Sequence, residues 1–208
     1  MTRFDYLLVL LGIIAGLALT EILSDVAKLC RAAEHVVFYW VPFIWAAVFF
    51  LLIVQWWWTL WSWRGDAHET LGRSYPAFLL SMVFPVFLYS ACVLLFPDAS
   101  GDSSIDMRDH FYREHSWLFG CCAIGMAALT LENSLSLGTS MFHPENLVRF
   151  IAIIVLAICA VTSNELFHAA AAILCGLLLV LFIVLFSKPM QPLENFEDKG
   201  QPPNKRNG

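Results

Sequence analysis

The stretch LFHAAAAILCGLLLVLFIVLF, residues 166–186, decides the class of fold to which this chain belongs. It contains no Lys, Arg, Asp or Glu. An α-helix needs about 20 apolar residues to cross the roughly 30 Å of hydrocarbon in a bilayer, because each residue adds about 1.5 Å. The stretch therefore predicts a transmembrane helix.

Five further apolar runs precede this stretch, and short polar segments separate them. Four of the six runs reach the length of about 18–20 residues that a span requires. We therefore expect an all-α, polytopic transmembrane bundle with six spans. The fifth run is short, so a tight hairpin with the sixth run and a partly re-entrant pair are both open, and the hairpin is favoured. The runs are residues 6–23, 36–60, 76–96, 117–131, 147–162 and 166–186.

The composition agrees with a chain that has lipid as its solvent. Hydrophobic residues make up 59% of it, charged residues only 14%, and the mean hydropathy is +0.69. A typical soluble domain has about 45–50% apolar and about 25% charged residues. The net charge is −5, and no basic patch predicts a nucleic-acid partner. The lipid bilayer is therefore the partner that the composition predicts.

Two segments are expected to lie outside the spans. Residues 106–115, DMRDHFYREH, carry acidic and basic side chains at i,i+4 spacing, which predicts a short amphipathic helix at the outer interface. Residues 187–208 are rich in Pro, Lys, Asn and Gly, which is typical of a disordered tail. The sequence thus predicts a transmembrane domain, residues 1–186, and a disordered cytoplasmic tail.

Lys and Arg indicate the orientation, because cytoplasmic loops carry an excess of them. With six spans, the two termini and the even-numbered loops share the side that holds more of these residues. The chain is therefore expected in the plasma membrane, or the inner membrane of a bacterium, with both termini cytoplasmic. The residues are Arg3, Arg64, Arg73, Arg149, Lys188, Lys199, Lys205 and Arg206 on that side, and Lys28, Arg31, Arg108 and Arg113 on the other.

Small residues predict where helices approach one another closely. Gly12 and Gly16 form a GxxxG pair, and Thr20 continues the same spacing. Gly125 gives the fourth run a similar small face. We expect these residues to pack against a neighbouring helix, either within the chain or in association with itself or another membrane protein.

The end of the second run is unusually aromatic. Indole rings favour the headgroup boundary, so these tryptophans and the following arginine are interpreted as interfacial anchors. The alternative is a stacking platform for a quinone, a haem or a lipid. The anchors are Trp56, Trp57, Trp58, Trp61, Trp63 and Arg64.

Ionisable residues within spans are the first candidates for function, because lipid makes them costly. In the predicted topology Glu21, Glu165 and His168 share the outer face and form a candidate ion or proton pathway. Glu132 ends its span on the opposite side and is excluded from that group. The competing interpretation is a polar cap that contacts headgroups and water. Glu145 and Asn146 are interpreted as a cap for the fifth helix.

No motif predicts chemistry. The chain lacks GxSxG, HExxH and a glycine-rich phosphate loop, so no catalytic residue, metal site or cofactor is expected. Two classes of function are left. A non-enzymatic, membrane-embedded partner or assembly protein is favoured, and the alternative is a small-solute or ion transporter or channel.

Overall fold

A computed structural model describes residues 3–62, 75–98, 104–137 and 144–186. This part of the chain is almost entirely helical. Five of its helices are long and apolar enough to cross a membrane, and the fifth helix in chain order is shorter. The helices are α1 (Arg3–Arg31), α2 (Val41–Ser62), α3 (Tyr75–Leu95), α4 (Met107–Leu137), α5 (Pro144–Val161) and α6 (Glu165–Phe186).

Five helices form a closed ring, and α1 lies outside it. Around the ring, α2 packs against α3, α3 against α4, α4 against α5, α5 against α6, and α6 returns to α2. The outer helix α1 covers the junction of α2 and α3. Its buried face has apolar residues at intervals of three or four, as expected for a helix with one packed side. This face comprises Leu7, Leu11, Ala15, Ala18 and Ile22.

A pair of two-residue strands joins the loops at one end of the bundle. Strand β1 (Val36–Val37), which follows a 3₁₀ turn at Ala33–His35, pairs in parallel with β2 (Ile105–Asp106). We call this the strand-pair end, and the end where α2 and α4 finish the opposite end. The all-α prediction did not include this pairing, because strands of this length leave no periodicity in the sequence.

The predicted interfacial helix at residues 106–115 is not a separate element. Asp106 lies in β2, and the residues that follow it form the first turns of α4, which continues to Leu137. The Oδ1 atom of Asp106 accepts hydrogen bonds from the backbone N–H of Arg108 at 2.9 Å and of Asp109 at 3.1 Å. Asp106 is therefore the N-cap of α4, and nothing interrupts the helix after it.

Helices α5 and α6 form a hairpin with a link of residues 162–164. The Oδ1 atom of Asn164 accepts a hydrogen bond from the N–H of Phe167 at 3.1 Å, which caps the start of α6. The predicted disordered tail, residues 187–208, lies outside the described residues, as do Trp63 and Arg64.

Candidate functional site: a cavity inside the helical ring

A cavity with a volume of about 120 Å³ occupies the centre of the ring. Its wall is mostly apolar and includes aromatic side chains from α2, α3 and α6. No described residue of α1 lines it. The principal apolar lining residues are Trp45, Phe49, Trp56, Phe84, Leu88, Cys122, Met126, Leu129, Ala152, Leu156, Leu179 and Phe182.

The spacing of the lining residues explains why the cavity runs along the bundle. On α4 they recur at helical intervals, from Cys122 through Gly125 and Leu129 to Glu132. Residues three or four positions apart share one face of a helix. The stripe on α4 thus turns inward, while other apolar side chains of the ring helices pack against neighbouring helices or are exposed.

Polar side chains gather where the cavity approaches the opposite end of the bundle. Gln55 and Thr59 come from the last turns of α2, Glu132 and Asn133 from the last turns of α4, and Arg149 from the start of α5. Gln55 donates to the hydroxyl of Thr59 at 3.5 Å, and that hydroxyl donates to the backbone carbonyl of Gln55 at 2.9 Å. The cavity therefore has an apolar body and one polar end.

Two asparagines orient the guanidinium group of Arg149. Its Nη1 donates to Oδ1 of Asn146 at 2.8 Å. The amide oxygen of Asn133, in the orientation that its partners require, accepts from Nη1 at 2.8 Å and Nη2 at 3.2 Å. The guanidinium carbon lies 5.5 Å from the centre of the Phe182 ring, within range of a cation–π contact. Helices α4, α5 and α6 thus hold this cation together at the cavity.

Glu132 is the most unusual group of the polar end. Its side chain lines the cavity, and the residue is only 4% exposed. Among the described residues, no hydrogen bond or ion pair to it is found. Burying a carboxylate without a partner is unfavourable, because water no longer solvates it. A buried acid that lines a cavity is therefore the first candidate for a functional residue.

A second polar group without a partner lines the cavity. The indole Nε1 of Trp45, a residue 1% exposed, has no acceptor in the described part of the chain. Its ring packs edge-on against Phe119, with centroids 4.8 Å apart. Indole N–H groups usually find an acceptor when they are buried. The cavity thus offers one donor in its apolar wall, in addition to its polar end.

The residues predicted as an ion pathway do not converge. Glu165 forms an ion pair with Arg108 at the strand-pair end, and both side chains are exposed. Glu21 is half-buried on α1. In the described part of the chain, no hydrogen bond or ion pair joins Glu21 to Glu165.

Aromatic rings surround His168 at the strand-pair end. It is fully buried, and its Nε2 donates to the carbonyl of Thr162 at 2.7 Å, while Nδ1 has no partner among the described residues. Neither acid of the predicted pathway contacts it in the described structure. Its neighbours are Phe111, Tyr112, His115 and Phe119, with ring centroids 5.3 to 5.6 Å away.

The four residues predicted to pack against a neighbouring helix differ in how closely another helix approaches them. A Cβ atom at Gly125 would lie 3.3 Å from Cβ of Phe87, so α3 and α4 meet closely there. A Cβ atom at Gly12 would lie 3.8 Å from Nε1 of Trp57 on α2. A Cβ atom at Gly16 would meet no described atom within 4 Å, and Thr20 is exposed and returns its hydroxyl to the Gly16 carbonyl. Among the described residues, no other helix therefore approaches Gly16 closely, because the buried face of α1 lies beside it.

The tryptophans predicted as interfacial anchors differ in how exposed their side chains are. Trp56 is only 6% exposed and lies with its ring 5.4 Å from that of Phe84, in the cavity wall. This side of α2 faces the ring interior, so the Trp56 ring packs against other helices of the chain. Trp57 is 42% exposed, and Trp58 is half-buried. Trp61 is the second-to-last residue of α2, and its side chain is not described.

The polar end was missed because its residues come from segments far apart in the sequence. Asn146 was interpreted as a helix cap, yet its side chain accepts from Arg149 one turn later. The i,i+3 spacing of these two residues was the available signal. Among the described residues, no group of three His, Cys, Asp or Glu side chains is placed to hold a metal ion.

No protein-family model, curated protein or solved structure matches this chain.

Proposed function

We propose that this chain is a non-enzymatic membrane protein that binds an amphiphilic molecule inside its helical ring. The observation that carries the proposal is the central cavity, with its apolar wall and its single polar end. Ligand sites are typically apolar clefts with a few convergent polar groups, and this cavity has that composition.

The size of the cavity limits what enters it. An engineered apolar cavity of about 150 Å³ holds one benzene molecule. A cavity of about 120 Å³ therefore suits a small ring or a few methylene groups of a hydrocarbon chain. The remainder of an amphiphile, including its head group, would extend past Glu132 and Arg149.

We further propose six spans, with α5 as the sixth, in a plasma membrane or bacterial inner membrane with both termini cytoplasmic. The excess of Lys and Arg near the termini supports this orientation. The polar end of the cavity would then lie at the level of the inner-leaflet head groups, since it is at the end of the bundle where α2 and α4 finish.

Binding without chemistry suits the partner or assembly role that the sequence favours. Ion transport through Glu21, Glu165 and His168 has less support, because these three residues occupy different surroundings. No catalytic arrangement of side chains is needed for this proposal.

Filling the cavity tests the proposal. We expect Ala152→Phe, which places a ring in the cavity, to remove the amphiphile that stays with the purified protein in native mass spectrometry. The matched control is Ala27→Phe on the exposed side of α1, which should retain it. Circular dichroism and thermal melting would establish that both variants are folded. Equal retention by both variants, or no bound amphiphile in the parent protein, would overturn the proposal.

A further inference from the structure

We propose that the polar end of the cavity recognises a neutral amphiphile whose polar group is a hydroxyl, and that this hydroxyl donates a hydrogen bond to the carboxylate of Glu132. The ligand class is an alcohol that carries a hydrocarbon chain or ring. This inference rests on the proposed function, and it adds the chemical class of the ligand. Arg149 has no part in this contact.

Glu132 is the group at the polar end that a ligand can satisfy. The guanidinium of Arg149 already donates to two asparagines, and the side chains of Gln55 and Thr59 are hydrogen-bonded to each other. Glu132 lines the same cavity, is only 4% exposed, and makes no hydrogen bond or ion pair with any described residue. Buried polar groups in folded proteins almost always have a partner. The molecule that occupies the cavity is therefore the source of a partner for this carboxylate.

The chemistry of a carboxyl group selects a hydroxyl as that partner. An ionised carboxylate accepts hydrogen bonds and donates none, so its complement is a donor. A hydrogen bond from a hydroxyl to a carboxylate is short and roughly twice as strong as one between neutral groups. If Glu132 takes up a proton, the oxygen of the same hydroxyl accepts a hydrogen bond from the acid. A hydroxyl therefore complements Glu132 in both of its protonation states.

The wall of the cavity favours a ligand without charge. Because the lining is mostly apolar, a polar group that enters the cavity loses most of its hydration. This loss costs a hydroxyl far less than an ammonium or a carboxylate, and the attraction within a buried ion pair often does not repay it. An ammonium would also complement only the ionised form of Glu132. A neutral hydroxyl is thus the polar group that fits this end of the cavity.

Two isomeric probes test the inference on the full-length protein in detergent. The probes n-decanol and nonyl methyl ether have the same elemental composition, but only the alcohol has an O–H donor. Apparent dissociation constants come from the rise in melting temperature with probe concentration, at about pH 9 so that the carboxyl group is ionised. We expect the alcohol to bind about tenfold more tightly, the effect of one hydrogen bond to a charged group. The Ala152→Phe variant, whose cavity is filled, corrects for the effect of each probe on the micelle.

Substitutions assign the contact to Glu132. Glu132→Met keeps the length of the side chain, removes the carboxylate, and should abolish the preference for the alcohol over the ether. Glu132→Gln keeps one acceptor oxygen and should retain part of the preference. The matched control is Glu34→Met, which removes an exposed carboxylate beyond α1 and should leave the preference unchanged. A third probe, n-decylamine, should bind the parent protein less tightly than n-decanol.

The outcomes separate this inference from the proposed function. If the alcohol and the ether bind the parent protein equally, and more tightly than they bind Ala152→Phe, the cavity binds amphiphiles and the hydroxyl assignment is wrong. If n-decylamine binds more tightly than n-decanol, and Glu132→Met removes the difference, the polar group is an ammonium and the assignment is also wrong. If the preference for the alcohol persists in Glu132→Met, Glu132 is not the acceptor. If no probe binds the parent protein more tightly than Ala152→Phe, the proposed function and the inference both fail.

Discussion

The role of an acidic residue in this chain depends on what its side chain faces. Glu165 lies at the start of a span, yet its exposed carboxylate has Arg108 as a partner. Glu132 lies in the last turns of α4, and its carboxylate faces a cavity without a partner in the described structure. A salt bridge at an exposed site contributes about 0–1 kcal/mol, whereas a buried charge without a partner is costly. Glu132 is therefore the better candidate for function.

Two glycines predict opposite effects of the same substitution. Gly125→Ala should destabilise the protein by about 1–3 kcal/mol through overpacking, because the new methyl group would lie 3.3 Å from Cβ of Phe87.

Gly16→Ala should stabilise the protein by about 0.5–1 kcal/mol, because alanine favours the helix and its methyl group meets no described atom within 4 Å. The measurement is the free energy of unfolding in mixed micelles. A loss of stability in both variants would mean that Gly16 also packs against a helix, as in an association of two chains.

The sequence could identify single candidate residues but not their grouping. Apolar runs located Glu132 at the end of a span, and the predicted topology separated it from Glu21. Whether it lines the same cavity as Arg149 depends on how α4 and α5 rotate about their axes, and helix periodicity alone does not fix that rotation between neighbours. The same limitation applies to Trp56. Its position near the end of a helix indicates the headgroup boundary, but the rotation of α2 turns its side chain toward the interior of the ring.

The start of α4 is set by a helix cap and not by the start of its apolar run. Helix α4 has 31 residues, about 46 Å in length, which exceeds the hydrocarbon thickness of about 30 Å. The apolar run predicted only its middle, because the first turns carry charged residues such as Arg108 and Asp109. The cap at Asp106 was the signal for the true start. A polar run in front of a span is thus compatible with one continuous helix.

The cap of α4 is open to a direct test. Asp106→Ala should cost about 1 kcal/mol of stability, because the N–H groups of Arg108 and Asp109 lose the carboxylate that accepts their hydrogen bonds. Ser104→Ala, at a nearby exposed residue, is the control and should leave the melting temperature unchanged. Unchanged melting of the Asp106 variant would show that the strand pair, not the cap, sets the start of α4.

At the scale of the whole molecule, the ring depends on α5 running along the full length of the bundle. The ion pair of Arg108 and Glu165 ties the starts of α4 and α6 to the strand-pair end. Since α4 runs away from that end and α6 begins there, α5 has to bring the chain back. Its 18 residues extend about 27 Å, a little less than the typical hydrocarbon thickness. Among the described helices, five are long and apolar enough to cross a membrane, and α5 is the shorter one, so the six crossings proposed above depend on α5.

Six crossings with cytoplasmic termini predict a specific labelling pattern. In a protein with Cys30 replaced by Ser, a cysteine at Ser104 should react with a membrane-impermeant maleimide in intact cells. A cysteine at Ser187 should react only after permeabilisation, because the orientation proposed from the excess of Lys and Arg puts that side in the cytoplasm. Reaction of both sites in intact cells would mean that one helix does not cross. Reaction of Ser187 alone would reverse the orientation and place Glu132 and Arg149 at the outer leaflet, so that a bound amphiphile would enter from there.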